Sequence, residues 1–270
     1  MSSSIWTSAQ GAVSQADRLE IISNNLANSS THGFKADDAT FKEYVGRAEK
    51  PPHLVPISPS PIQDRDFFVL GDKEQSSVVV DGTYTRFGQG VLQQTGHPLD
   101  MAIDGAAFFE VLTPEGIRFT RAGNFKVDAT GNLVTSQGYP VLSQRAQALD
   151  TKDPSARIIN LADSIGITLT SEGELFSGLE SIANLSLIEF NKPEALVKTG
   201  GLLFRAVDPA AASLSETSEV YQGYLERSNV NPVHELATLM SANRLFEQDL
   251  KTMKAFDEMM AKEANDIGKL

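Results

Sequence analysis

Residues 231–270 read NPVHELATLMSANRLFEQDLKTMKAFDEMMAKEANDIGKL. Leu239, Phe246, Met253, Met260 and Ile267 recur at intervals of seven, and Leu236, Asn243, Leu250, Asp257 and Ala264 recur three residues ahead of them. The two rows are the a and d positions of about five heptads, the signature of a coiled-coil helix. Pro232 suits the first helical position and Asn231 can cap the N–H groups behind it. No Pro or Gly interrupts the run before Gly268. At about 1.5 Å per residue this is a rod of roughly 50 Å, and it cannot cover its own apolar stripe. Asn243 and Asp257 interrupt the seam. Buried, they would fix register and oligomeric state at some cost in stability; at the seam's edge they would face solvent. The sequence leaves both readings open.

A second heptad helix lies at the other end of the chain. Ile5, Ala12, Leu19 and Leu26 are seven apart, with Ala9 and Ala16 beside them and Val13 and Ile22 widening the stripe. Small residues on this seam allow close approach of the bulkier C-terminal helix. The expectation is that the two helices pair as a coiled coil; two separate amphipathic helices on one core are the alternative. The sides left unmatched would need other copies of the chain, so the ends are expected to order fully only on assembly.

Between the helices the pattern changes twice. Phe41, Tyr44 and Val45 follow with helical spacing, and then Pro51, Pro52, Pro56, Pro59 and Pro61 predict an extended, partly polyproline spacer. From about Ser77 the period becomes two. Val78 to Arg86 around Asp81-Gly82, Phe108 to Arg121 around Thr113 to Gly116, and Asn124 to Thr135 around Asp128 to Asn132 read as hairpins. Further strands are predicted at Leu99 to Ile103, Tyr139 to Leu142, Ile165 to Thr170, Glu174 to Ser177, Leu185 to Phe190 and Leu202 to Ala206. The predicted fold class is α+β: an all-β domain inserted between paired terminal heptad helices. The segments are 1–30 (helix), 31–76 (Pro-rich connection), 77–206 (β domain), 207–230 (connection) and 231–270 (helix).

Charge and composition narrow the function. The net charge of −12 makes nucleic acids and anionic membrane surfaces poor partners, because phosphate binding needs an excess of Lys and Arg. Most of that charge falls between the helices, so the helices can pack among copies while the acidic middle faces outward. With no cysteine there is no disulfide and no thiolate site. The sequence has neither an apolar run of about 18 residues nor a signal-peptide core. That reads most simply as cytosolic, although an export route without a cleaved signal leaves the same absence.

Nothing in the chain reads as catalytic or cofactor-binding. His32, His53, His97 and His234 fit no ligand spacing, and no nucleophile elbow or phosphate loop is present. Phe87-Gly88-Gln89-Gly90 lacks the helix a nucleotide cradle needs. Asp64 and Asp66 start a calcium-like pattern that Phe67 and Phe68 end. Asp100 and Asp104 could pair as acid and base, but beside Pro and Gly they suit turn capping. A ligand-binding β domain on a helical oligomerisation stalk is the competing class.

Four stretches carry a family resemblance. They are Ile22–Lys35 (ISNNLANSSTHGFK), Thr95–Gly105 (TGHPLDMAIDG) with Phe108-Phe109, Phe119–Phe125 (FTRAGNF) continuing through Gly131 to Gly138, and Leu225–Pro232 (LERSNVNP) followed by the long helix. With these the chain resembles the flagellar basal-body rod proteins of the FlgF/FlgG group, within the wider rod and hook family. The phrase Thr95 to Asp100 leans toward the proximal FlgF type; the terminal signatures are shared with the distal FlgG type. The resemblance implies terminal helices that form an inner coiled-coil layer of a tube, with the β domain outside. It implies a non-enzymatic subunit that assembles with copies of itself and other rod proteins, crosses the periplasm and transmits torque. It also implies export without a cleaved signal through the flagellar type III apparatus. The Phe41-Lys42-Glu43-Tyr44-Val45 stretch resembles that apparatus's recognition element, with Phe41 and Val45 as its apolar pair.

Overall fold

The computed structural model describes residues 2–46, 75–144, 154–162, 166–200, 202–208, 211–215 and 217–267. The chain divides into a helical unit (Met1–Ser23, Ala39–Thr83 and Leu236–Leu270) and a β unit (Asn24–Asp38 and Tyr84–Glu235). The order helix, strands, helix is the expected α+β arrangement, and the terminal helices are in contact.

Helix α1 (Ser2–Ala27) has 26 residues and helix α2 (Pro232–Ile267) has 36, about 39 and 54 Å at 1.5 Å per residue. Asn231 caps α2 as its position suggests: its Oδ1 accepts the N–H of Val233 at 3.1 Å and of His234 at 3.3 Å. At Gly11 the helices come close enough that an added Cβ would stand 3.3 Å from Asp249 Oδ2. The small residue at this close approach is Gly11, not one of the alanines expected on the seam, and Ala16 is exposed.

Strands β1 (Asp37–Gly46) and β2 (Gln75–Thr85) form a two-stranded sheet. This corrects two expectations. Phe41, Tyr44 and Val45 lie on a strand and not on a helical turn. A spacing of four fits one face of a helix and one face of a strand equally, and here a strand partner decides it. Asp81-Gly82 is not a turn either: β2 runs straight through it, paired with a strand more than thirty residues upstream. The proline cluster at 51–61 lies outside the described residues.

The β unit is built on a six-stranded antiparallel sheet. In spatial order it is β13 (Leu196–Gly200), β14 (Leu203–Ala206), β6 (Gly116–Thr120), β5 (Phe108–Thr113), β12 (Leu187–Phe190) and β15 (Ala212–Leu214). Both faces are covered. Phe109, Val111, Leu187 and Leu203 belong to one core; Phe108, Phe119, Ile188, Phe190 and Phe204 belong to the other. The run Phe108 to Leu112 is nearly continuously apolar for this reason. Its exception, Glu110, is buried. It accepts Ser186 Oγ at 2.6 Å and both terminal nitrogens of Arg157.

A three-stranded sheet, β9 (Ile167–Leu169), β10 (Glu174–Ser177) and β11 (Glu180–Asn184), packs on the first core. The short hairpin β7 (Lys126–Val127) and β8 (Leu133–Val134) closes on the predicted Asp128 turn. There Asp128 Oδ1 accepts the N–H groups of Thr130 and Asn132 and the Thr130 hydroxyl, and these bonds hold its carboxyl below its ordinary value.

The connection expected at 207–230 is a further correction. It contains β15, β16 (Glu219–Gln222) and β17 (Tyr224–Glu226). β16 pairs with β4 (Met101–Asp104), and β17 pairs with β3 (Leu92–Gln94). The β unit therefore runs to the foot of α2.

Candidate assembly interface

A helix turns about 100° per residue, so each row of the heptad pattern faces its own direction. Leu239, Phe246 and Met253 are half-buried in the single chain. The row inside them is Ala242, only 1% exposed, with Asp249 and Phe256 half-buried. Asp249 is the residue beside Gly11 of α1, so this inner row faces the helix partner. The predicted companion row is a different one. Leu236 is 46% and Leu250 38% exposed, and Asn243 and Asp257 between them are exposed as well. Met240 and Met260 are also exposed. Thus α2 has two overlapping seams that share Leu239, Phe246 and Met253. One is closed by α1; the other is open.

On α1, Ala12 and Ile22 are buried, and Leu19 and Leu26 half-buried. Val13, expected to widen the buried stripe, is 62% exposed, because it sits on the flank away from Ala12 and Ile22. The side chains of Ile5, Val45 and Ile267 lie outside the described set. Phe41 is exposed on β1.

Within the β unit, the segments at 24–38 and 224–235 come together. Asn25 exchanges two bonds with the backbone of Asp37, at 2.8 and 3.0 Å. Beyond it, Gly33 to Asp38 runs as an extended strap. Gly33 has φ +71° and donates to Glu226 O at 2.8 Å; a Cβ there would stand 2.4 Å from the Ala122 nitrogen, so only glycine fits. Phe34 packs with Ala36 and Val230 beneath the Lys198 ammonium, which lies 4.0 Å from its ring centroid. Asn229 Oδ1 accepts the Ala36 N–H at 2.8 Å, and its Nδ2 donates to Arg86 O and Gly88 O.

Lys35 lies under this strap, fully buried. Its Nζ donates to Glu226 Oε1 at 2.7 Å and to Gly88 O at 2.9 Å. Glu226 Oε1 also accepts the Gly90 N–H at 2.7 Å, and Arg121 Nη1 lies 3.4 Å from Oε2. Arg121 further donates to Gly105 O at 2.7 Å and sits over the Phe108 ring. Burial pushes Lys35 and Arg121 below their ordinary values, and Glu226 opposes the shift in each. These three residues stand inside the quoted signature stretches, yet sequence reasoning did not single them out. The available signal was a charged residue beside an apolar one, as in Phe34-Lys35-Ala36 and Leu225-Glu226.

The chemistry-bearing candidates are taken up by structure. Asp104 Oδ1 accepts from Gln89 Nε2 at 3.0 Å at the end of β4, and Asp100 is in a bridge with Asn124. Asp64 and Asp66 lie outside the described residues. Among the described residues no group of His, Asp or Glu is placed to hold a metal, and no helix is long and apolar enough to cross a membrane. A cleft of about 420 Å³ beside Ser171, Glu172, Asn184, Ser215, Thr217 and Glu219 has neither a cation nor a histidine in its lining.

The features together describe a structural subunit, with paired terminal helices, an open apolar seam and a β unit whose buried charged groups Lys35, Arg121, Glu226 and Glu110 are held in ion pairs. Comparison with known proteins specifies which. Residues 6–35 match the flagella basal body rod protein family, 102–176 the FlgE/F/G D1 domain of flagellar hook proteins, and 221–267 the C-terminal family of FlgEFG rod proteins. The chain is 32% identical to the basal-body rod protein FlgG of Buchnera aphidicola subsp. Schizaphis graminum, over 96% of this chain and 97% of the relative. It is 29% identical to FlgG of Bacillus subtilis, over 97% and 98%, and 28% identical to FlgF of Caulobacter vibrioides, over 93% and 92%. The chain belongs to the FlgF/FlgG family of flagellar basal-body rod proteins. It is a non-enzymatic structural subunit of the rod, serving motility.

Proposed function

We propose that the chain is a rod subunit of the proximal FlgF type, polymerising with copies of itself and with other rod proteins into the axial shaft that crosses the periplasm and carries torque. The observation that carries this reading is the open seam of α2. Leu236, Met240 and Leu250 are exposed beside half-buried Leu239, Phe246 and Met253, and an apolar row of that length on a helix calls for another helix. Assembly places a neighbour's helix on this row, with Asn243 and Asp257 setting register within it. Leu19 and Leu26 of α1 and Met260 of α2 extend the contact set; Ala12, expected with them, is already buried in the single chain, and the side chains of Ile5 and Ile267 lie outside the described set. Delivery is by the flagellar type III apparatus without a cleaved signal, with Phe41 and Val45 on β1 as the recognition pair.

The phrase Thr95 to Asp100 supports the proximal type. A distal FlgG reading is favoured by the higher identity to the Buchnera FlgG. Complementation separates the two. Expression in FlgF-deficient and FlgG-deficient cells should restore swimming in the first and not the second. Rescue of the FlgG-deficient cells alone would assign the distal position.

A further inference from the structure

Lys35 and Glu226 are 191 residues apart, yet each is the other's closest charged partner in the interior. Arg121 comes from a third part of the chain, just past β6. Two cations with side chains 1% and 3% exposed share one carboxylate whose side chain is 1% exposed. Without Glu226 burying both cations is strongly unfavourable, because Lys35 and Arg121 repel each other and only the weaker Glu189 and Asp104 contributions remain on Arg121. The backbone bonds are arranged in the same way. Gly33 donates to Glu226 O, Gly90 donates to Glu226 Oε1, and Arg227 donates to Val91 O. Gly90 leaves no room for a side chain, since a Cβ there would stand 1.9 Å from Arg227 O. The strap 33–38, the loop 86–91 and the segment 224–230 therefore close on one another around a single carboxylate.

We propose that Lys35, Arg121 and Glu226 form a closure latch, through which the strap carrying α1 and the strand leading to α2 dock on the β unit together or not at all. Glu226 lies in the last strand of the β unit to be made. Until it arrives, the strap carries a lysine with no place in the interior, and the foot of α1 stays free. Both helix feet are then fixed in one event, late in the life of the chain. The consequence rests on the proposed function: in a subunit that is exported before it assembles, such a latch delays presentation of the paired helices. The inference does not depend on which rod position the subunit occupies.

The chain has no cysteine, so single thiols can report opening at chosen places. Ala36→Cys reports the strap, Leu225→Cys reports β17, and Val111→Cys reports the sheet core; all three positions are buried. Labelling of the folded full-length protein is measured with and without Glu226→Gln. The latch predicts that Glu226→Gln speeds labelling at 36 and 225 by one common factor, about 100-fold or more, as expected for stranding buried charge. Labelling at 111 should change less than tenfold. Adding Lys35→Met to Glu226→Gln removes one stranded cation and should slow labelling at 36 again. Acceleration at 36 alone, or an equal rise at all three positions, would overturn the latch. So would a double variant that opens faster than Glu226→Gln alone. If Glu226→Gln does not fold, Lys35→Met alone is tested with the same three probes. It must speed 36 and 225 together and spare 111; independent changes overturn the proposal.

Discussion

Replacing Leu250 by Asp tests whether the two seams of α2 have different owners. In the single chain Leu250 is 38% exposed and lies outside the row that faces α1. Full burial of a leucine is worth about 1.5–3 kcal/mol, so covering the exposed remainder adds roughly 0.6–1.1 kcal/mol per contact. The aspartate forfeits that and places a carboxylate where a neighbour's helix must lie. Burying a polar group without a partner costs about 2–7 kcal/mol, and a charge costs more. A loss of about 3 kcal/mol or more per contact corresponds to at least a hundredfold rise in the concentration needed for polymerisation. In the monomer the covered part of Leu250 is worth about 0.9–1.9 kcal/mol by the same reckoning, so the change is expected to lower monomer stability by about 1–2 kcal/mol, less than the loss at an assembled contact. The assay pairs chemical unfolding of the purified subunit with counts of rod-containing basal bodies from cells that express the variant. The expected result is a subunit that still folds, with a modestly lowered unfolding midpoint, and no incorporated subunit. Normal rods and motility would remove the outer row from the account. A collapse of monomer stability would mean that Leu250 already serves the pair with α1.

Three further expectations follow from the β unit. Gly33→Ala should destabilise more than Gly138→Ala. Both glycines have positive φ, at +71° and +87°, where strain costs about 1–3 kcal/mol, but only the Cβ at 33 meets backbone, 2.4 Å from the Ala122 nitrogen; equal urea midpoints would refute the fit described for the strap. Glu110→Ala strands Arg157 beside the sheet and should lower stability by about 3–5 kcal/mol with an unchanged denaturant slope; a loss within the range of a surface change would show that Arg157 is satisfied by Ser143 O alone. Burial lowers Lys35 from its ordinary 10.5 against the pull of Glu226, with Arg121 lowering it further and Glu189 and Asp104 acting on Arg121. The unfolded chain then binds the extra proton below 10.5, so the Lys35 contribution to stability rises with pH on approaching that value from below. The stability difference between wild type and Lys35→Met, followed by urea unfolding, should move in favour of wild type across that interval; movement in favour of Lys35→Met would mean that Glu226 dominates.

What could be read from the chain follows the range of the forces involved. The turns at Asp128 and at Thr113 to Gly116 are local chemistry, and they stand where the residues put them. The row Leu239, Phe246, Met253 was legible because large apolar groups repeat at seven. Its inner companion was not, because Ala242 and Asp249 are not apolar anchors in themselves; Gly11 on another helix makes their row the close one. β1 was misread because the Phe41 to Val45 spacing satisfies two periods, and β2 because Asp-Gly is a turn signal that a strand partner overrides. β15 to β17 lie in a stretch whose Ala- and Ser-rich start carries no strand signal. Residues 212–214 are Ala-Ser-Leu, with no strand pattern of their own, and their pairing is supplied by β12. The Lys35 cluster is the extreme case. Each member was visible in a motif, but no local rule joins residues 35, 121 and 226.

The central claim is that the outer row of α2 is covered by a neighbouring subunit in the rod. A chain without cysteine allows this to be read directly, with Leu250→Cys as the sole thiol in the subunit. Basal bodies isolated from cells carrying that variant would be treated with a short thiol-to-amine crosslinker and, separately, with a soluble thiol label. The account predicts an adduct to a second rod subunit and protection from the label, with rapid labelling of the purified monomer. A thiol that stays uncrosslinked and labels as fast in the basal body as in the monomer would contradict it.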